Sequence, residues 1–126
     1  MEASVEMIFV YGTLRRGGSN HFRMAGAVFA GAATVRARLY RIDWYPGLVL
    51  DGAADRVTGE IYQAGADLLR ALDDFEGPGY RRVRAQAACA DGASRVAWLW
   101  EWTGGTDESR RILNGNWLSP PQSTEP

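Results

Sequence analysis

Two short stretches of this 126-residue chain carry side chains in arrangements that suit chemistry. The first is the acidic cluster Asp73, Asp74 and Glu76. The apolar residues Leu68, Leu69, Leu72 and Phe75 recur at helical spacing just before and within it, so the three carboxylates crowd the C-terminal end of a helix. The partial negative charge there and the like charges both raise carboxylate pKa, and burial raises it further. A carboxyl group moved toward neutrality is what a general base working near pH 7 requires. Glu76 is one residue beyond Phe75 and four beyond Leu72, beside the core-facing stripe, and is the candidate catalytic residue; Asp73 and Asp74 lie further round. A solvated acidic helix end is the competing reading. The second stretch is Tyr11-Gly12-Thr13-Leu14, where an apolar run ends abruptly at a glycine. Backbone approaches a ligand closely at glycine, and free N–H groups past a strand end can hold a carboxylate or an oxyanion. A turn with no ligand is the plainer alternative.

Composition removes many other chemistries. All 14 basic residues are arginine, so lysine Schiff bases, lysine-bound pyridoxal cofactors, P-loop lysines and Ser-Lys dyads are excluded. With one His and one Cys, a structural zinc site is out of reach and any metal site would be carboxylate-rich. Gly12, Gly17 and Gly18 match neither a dinucleotide nor a phosphate-loop fingerprint. A net charge of -1 offers no basic excess for nucleic acid or an anionic membrane, and no apolar run has the length of a membrane span. One cysteine forbids an internal disulfide and suits a reducing compartment, so a cytoplasmic location is expected. The stretch 1–6 holds two Glu and no basic residue, unlike a signal peptide.

The elements that must position these residues follow from periodicity. Met7-Ile8-Phe9-Val10-Tyr11 is apolar on both faces, predicting a central strand buried on two sides. Ser19 or Asn20 is placed to cap one helical turn over 21–25. In 34–42, Val35, Ala37 and Leu39 alternate with Arg36, Arg38 and Tyr40, predicting a half-wet strand. Pro46-Gly47 should interrupt the chain before a short strand over 48–50. Val57, Gly59 and Ile61 alternate with Thr58, Glu60 and Tyr62, which places Glu60 on a wet face. The helix covers 66–76 and Gly77-Pro78-Gly79 ends it. Asp91-Gly92 suggests a two-residue hairpin turn, which pairs Val83 with Trp100, Ala85 with Trp98, Ala87 with Val96 and Arg82 with Glu101. A short element is expected around 109–113. The reading is an α+β domain over 1–118, a curled mixed sheet or small barrel of about six strands with one main helix, followed by a disordered tail over 119–126.

Tyr11-Gly12-Thr13-Leu14-Arg15 after the first strand, Asn20-His21, Glu76 followed by Tyr80-Arg81-Arg82, and Gly115-Asn116-Trp117 together resemble the γ-glutamylcyclotransferase-like family. The motifs run in the family's order from Met7 to Trp117, and the likeness is greatest to small bacterial members and the γ-glutamylamine cyclotransferase branch. Asn116 departs from the pattern, which has Asp in that late motif. The resemblance implies an enzyme without metal or redox cofactor, acting on a small γ-glutamyl substrate and releasing 5-oxoproline. It also implies Glu76 as acid and base, the backbone of Tyr11, Gly12, Thr13 and Leu14 as the substrate cradle, and Tyr80 as a hydrogen-bonding wall. The oligomeric state stays open.

Other residues have plainer readings. His21 is expected to be structural, Cys89 a small core residue, and Glu60 solvated. A pocket of the same fold that binds without turnover is the alternative function. A base-stacking platform of Trp98, Trp100 and Trp102 beside Arg81, Arg82 and Arg84 is a third, disfavoured because the expected register turns two of those tryptophans into the core.

Overall fold

A computed structural model of the chain describes residues 5–51 and 55–118; the expected tail over 119–126 lies outside the described residues. The strands are β1 (Val5–Val10), β2 (Val28–Arg36), β3 (Arg38–Arg41), β4 (Pro46–Val49), β5 (Arg56–Gly65), β6 (Tyr80–Cys89) and β7 (Ser94–Trp102), and one α-helix, α1 (Ala66–Glu76), joins β5 to β6. Five strands close into a barrel in the order β1-β5-β2-β6-β7, and β3 and β4 form a separate hairpin. Closure comes from a parallel contact of β1 with β7 at Ile8 and Trp98, while the other neighbours pair antiparallel.

Because alternate residues of a strand face opposite sides, the barrel wall makes two cores. Phe9, Val35, Val57, Ile61, Ala87, Ala97 and Leu99 fill the interior, where Leu39 and Leu48 of the β3–β4 hairpin join them. Ile8, Val10, Tyr62 and Trp100 face outward against Leu69 and Leu72 of α1, with Leu14 and Met24. From Ile8 to Val10 β1 is therefore buried on both faces, as the unbroken apolar run required. Fully buried Leu, Ile and Phe side chains such as Phe9, Ile61, Leu72 and Leu99 each contribute roughly 1.5–3 kcal/mol. The helix has the predicted limits, and Gly77 ends it with φ 78° while its N–H bonds Asp73 O at 3.1 Å. Among the described residues, no helix is long and apolar enough to cross a membrane.

The β6–β7 register differs from the expectation by one residue. Val83 faces Leu99, Ala85 faces Ala97, Arg81 faces Glu101 and Arg82 faces Trp100. A two-residue type I′ turn needs positive φ at both central positions, and in this hairpin Gly92 has it (φ 92°) while Asp91 does not. The loop accordingly takes three residues, with Gly92 N–H to Cys89 O at 2.9 Å and Cys89 N–H to Ala93 O at 2.8 Å. Slipping by one residue reverses the facing of β7. Ala97 and Leu99 enter the barrel, Val96 is half exposed, and Trp98 and Trp100 turn to the helix side.

Other boundaries shift for identifiable reasons. The strand expected over 34–42 is two strands: β2 begins at Val28, and the chain passes at Ala37 into β3, the Ala37 N–H bonding Asp55 O at 3.1 Å. Tyr40, expected wet, is buried, and its hydroxyl donates to Glu108. Pro46 and Gly47 open β4 instead of interrupting the chain, with Pro46 opposite Arg41. The turn after Asn20 is a 3-10 helix, His21–Met24, without a side-chain cap, and the element expected at 109–113 is the 3-10 turn Glu108–Arg110.

Candidate active site

Where β1 leaves the barrel, Gly12 meets the pyrrolidine ring of Pro46. A Cβ at position 12 would lie 2.7 Å from Pro46 Cγ, so only glycine lets the loop pass so close to β4. The loop then turns tightly: Arg15 N–H bonds Gly12 O at 3.1 Å, Gly18 N–H bonds Arg15 O at 2.7 Å, and Asn20 N–H bonds Thr13 O at 2.9 Å. Leu14 is buried in the core beneath the helix. His21 Nδ1 lies 2.8 Å from Leu14 O, and a carbonyl only accepts, so this ring nitrogen donates. His21 is thus a brace for the loop, in keeping with a structural role. Asn20 Nδ2 donates to Thr13 Oγ1 at 3.1 Å. The backbone N–H groups of Gly12, Thr13 and Leu14 have no acceptor among the described residues.

Those amides border a cleft of about 340 Å³ lined by Tyr11, Gly12, Thr13, Leu14, Glu76 and Tyr80, with an aromatic wall that includes Tyr45 and Trp102. The structure brings all six sequence-selected site residues to this one cleft. Tyr11 is committed inside it, donating to Trp100 O at 2.7 Å and accepting Leu48 N–H at 3.2 Å; burial raises its phenol well above the ordinary range. The Tyr80 hydroxyl donates to Pro46 O at 2.6 Å and is likewise held up by burial. Both phenols are fixed walls with their protons engaged.

Glu76 is different. Its carboxyl has no hydrogen-bond partner among the described residues, and burial moves its pKa from 4.5 to about 7. Of the causes expected from sequence, burial is the operative one, and repulsion within the acidic cluster is not. Asp73 is held by Arg82 at 2.8 Å and by the Trp100 indole N–H at 2.9 Å. Asp74 is exposed. Desolvation alone makes Glu76 a group that exchanges protons near neutral pH.

Sequence reasoning missed two parts of the site. Glu60, expected to be solvated, is buried and bound to the loop, with its carboxylate oxygens 3.2 Å from Arg15 Nε and 3.0 Å from the Arg16 N–H. Only the register could have exposed this, since Glu60 pairs with Val10 at the very end of β1. Trp102 was the other omission. Its ring lies against Gly79 and Gly104, where a Cβ would approach to 2.8 Å and 2.5 Å, and glycines on both sides of the β6–β7 hairpin end were the available signal. Trp98, in contrast, carries Arg82 and Arg84 over its ring at 4.4 Å. Cys89 is free and half-buried, packing against the barrel interior. Among the described residues no three His, Cys, Asp or Glu side chains converge as metal ligands would.

Comparison with known proteins places the chain in a family. A profile described as gamma-glutamyl cyclotransferase, AIG2-like matches residues 8–119. The chain is 36% identical over 115 residues to gamma-glutamylaminecyclotransferase of Rattus norvegicus, covering 81% of this chain and 71% of the rat protein. The match to the Mus musculus protein of that name, 42% identical over 81 residues, spans 53% of the relative. A putative gamma-glutamylcyclotransferase of Pyrococcus horikoshii is 30% identical, covering 86% of this chain and 88% of the relative. Among solved structures, an AIG2-like protein of Mus musculus superposes with a TM-score of 0.75 at 30% identity, covering 93% of this chain and 84% of the other. The closed barrel with one main helix, the profile match and these relatives show that the chain belongs to the gamma-glutamyl cyclotransferase, AIG2-like family.

Proposed function

We propose that the protein is a γ-glutamylcyclotransferase that needs no metal or redox cofactor. Its substrate is a small γ-glutamyl amine or peptide. The free α-amine of the γ-glutamyl group attacks its own γ-carbonyl; a C–N bond forms, the bond to the departing nitrogen breaks, and the products are 5-oxoproline and a free amine. Glu76 accepts the proton of the attacking amine and returns it to the leaving nitrogen, so the carboxylate is regenerated. The N–H groups of Gly12, Thr13 and Leu14 receive the charge of the glutamyl carboxylate or of the tetrahedral oxygen, and Tyr11 and Tyr80 form the walls.

The observation that carries this reading is the Glu76 carboxyl, with a pKa of about 7 and no partner among the described residues, in one cleft with the loop residues Gly12, Thr13 and Leu14, whose backbone N–H groups likewise have no acceptor among them. Little more is needed. The attack is intramolecular, and holding a chain folded near its reacting geometry supplies effective molarities of the order of 10⁵ M or more. The names of relatives agree in reaction type: gamma-glutamylaminecyclotransferase in Rattus norvegicus, and gamma-L-glutamyl-butirosin B gamma-glutamyl cyclotransferase in Niallia circulans, 32% identical over 103 residues with 74% of this chain and 64% of the relative covered. The single free cysteine suits action in a reducing cytoplasm.

The test is release of 5-oxoproline from a panel of γ-glutamyl amines and peptides, with wild type against Glu76→Gln. Product from the wild type and its loss in the variant are expected. Binding of 5-oxoproline without turnover of any substrate would replace the enzyme by a ligand-binding module.

A further inference from the structure

Glu60 is a buried carboxylate outside the cleft, and two of its three partners, Arg15 and the Arg16 N–H, belong to the loop that carries the free N–H groups, the third being Tyr62 on its own strand. It stands on β5 opposite Val10, the last residue of β1, so it lies beside the point where the chain leaves the barrel for residues 11–14. Its Oε1 accepts the Arg16 backbone N–H at 3.0 Å and the Tyr62 hydroxyl at 2.9 Å. Its Oε2 lies 3.2 Å from Arg15 Nε, and both side chains of this ion pair are nearly buried, at 11% and 9% exposure. The other end of the Arg15 guanidinium donates to Asn116 Oδ1 at 2.7 Å. Asn116 is itself held near the barrel. Gly115 O accepts the Thr58 N–H at 2.8 Å, and a Cβ at position 115 would fall 1.9 Å from Arg56 O.

The stretch with the free N–H groups is therefore fastened on both sides: by the β1 ladder before it, and by Glu60 and Asn116 through Arg15 and Arg16 after it. We propose that Glu60, acting through Arg15 and with Asn116 at the far end, is a positioning residue that holds the Gly12, Thr13 and Leu14 N–H groups in the geometry that receives substrate. Donors stabilise developing charge only if their orientation is already set when the charge appears, and a misplacement of about 1 Å costs on the order of 10²-fold in rate. A tether buried from water, with a main-chain N–H among its partners, is suited to that task. Asn116 also acquires a role here. As a neutral amide it leaves Glu60 as the carboxylate that faces Arg15, so the charge of the tether sits on one residue.

This inference rests on the proposed cyclotransferase reading for its kinetic arm, and a second arm stands without it. In the full chain, Glu60→Gln, Asn116→Leu and the double variant are compared with wild type by ¹⁵N relaxation at Gly12, Thr13 and Leu14 and by 5-oxoproline release. Wild-type order parameters near 0.85, falling below about 0.6 in Glu60→Gln, are expected. kcat/KM should fall about 10- to 100-fold while its acidic pH limb stays where wild type has it, because Glu76 is untouched. Asn116→Leu leaves no buried charge unpaired; it should shift the same signals by less, and the double variant should lose less than the sum because both act through Arg15. Unchanged order parameters in both single variants, or a moved pH limb in Glu60→Gln, would overturn the proposal. If Glu60→Gln does not fold, Asn116→Leu decides by the same criteria. If wild type releases no 5-oxoproline, the cyclotransferase reading fails and the relaxation data still decide the tether.

Discussion

Asp73 accepts the indole N–H of Trp100 at 2.9 Å, so the carboxylate one helical turn before Glu76 is bound to the barrel wall. Arg82 takes the same oxygen at 2.8 Å. The two bonds fix the rotation of α1 about its axis, and with Asp73 turned to β6 and β7, Glu76 projects into the cleft. Two acidic residues three apart on one helix are thereby separated by environment, one paired and one desolvated.

Replacing Asp73 by Ala should expose this dependence. The ion pair is partly solvated, with 27% and 33% of the two side chains exposed, so its own contribution is small. The larger cost is the indole N–H left without an acceptor, giving a total loss of about 2 kcal/mol. A urea titration measures it, and kcat should fall about 10-fold through displacement of the helix end.

The acid limb of the pH profile should belong to Glu76. As a base it works ionised, and burial raises its pKa to about 7. kcat/KM should therefore fall about tenfold per unit as pH drops below 7, and level off above it. Measurement between pH 5 and 9 checks this; a limb near 4.5 would show a solvated carboxylate instead.

Glu76→Gln should trade activity for stability. General acid–base groups contribute typically 10²- to 10⁴-fold, and a loss of that size in kcat is expected. The folded-state pKa lies above the ordinary 4.5, so the stability tied to the protonated form is complete below 4.5 and lost as pH rises through about 7. The amide never ionises. Denaturation midpoints should coincide near pH 4 and favour the variant by about 3 kcal/mol at pH 8.

Gly12→Ala should act on the cradle more than on the fold. The new Cβ would meet Pro46 Cγ at 2.7 Å, and a proline ring within a strand has little freedom to move. The loop moves instead, and a shift of about 1 Å should reduce kcat/KM about 10²-fold, read in the 5-oxoproline assay beside a melting curve.

The β6–β7 register is open to direct test in the barrel core. Leu99 is fully buried and Val96 is 51% exposed. Leu99→Ala should cost about 2–5 kcal/mol and Val96→Ala within about 0.5 kcal/mol. The opposite order would restore the two-residue turn.

Much of this molecule was legible without coordinates because the deciding forces are local. The apolar run ending at Tyr11 dictates a strand buried on both faces, and Leu69 and Leu72 with Gly77 and Pro78 dictate one helix with a definite end. The residue types of the Tyr11 to Leu14 stretch and of Glu76 suit anion contact and proton transfer, and the resemblance of their motifs to the family singled them out over plainer readings. Long-range pairing decided the rest. The φ of Asp91 selected a three-residue loop and so chose which face of β7 enters the barrel, a choice worth one residue of sequence and the orientation of every side chain on the strand. Antiparallel pairing of β1 with β5 placed Glu60 against Arg15, forty-five residues away, and turned an apparently wet carboxylate into a buried one. The pKa of Glu76 was decided the same way: from three neighbouring acids at a helix end the sequence offers repulsion, the helix-end charge and burial as causes, whereas the folded chain selects burial through what it packs around one of them.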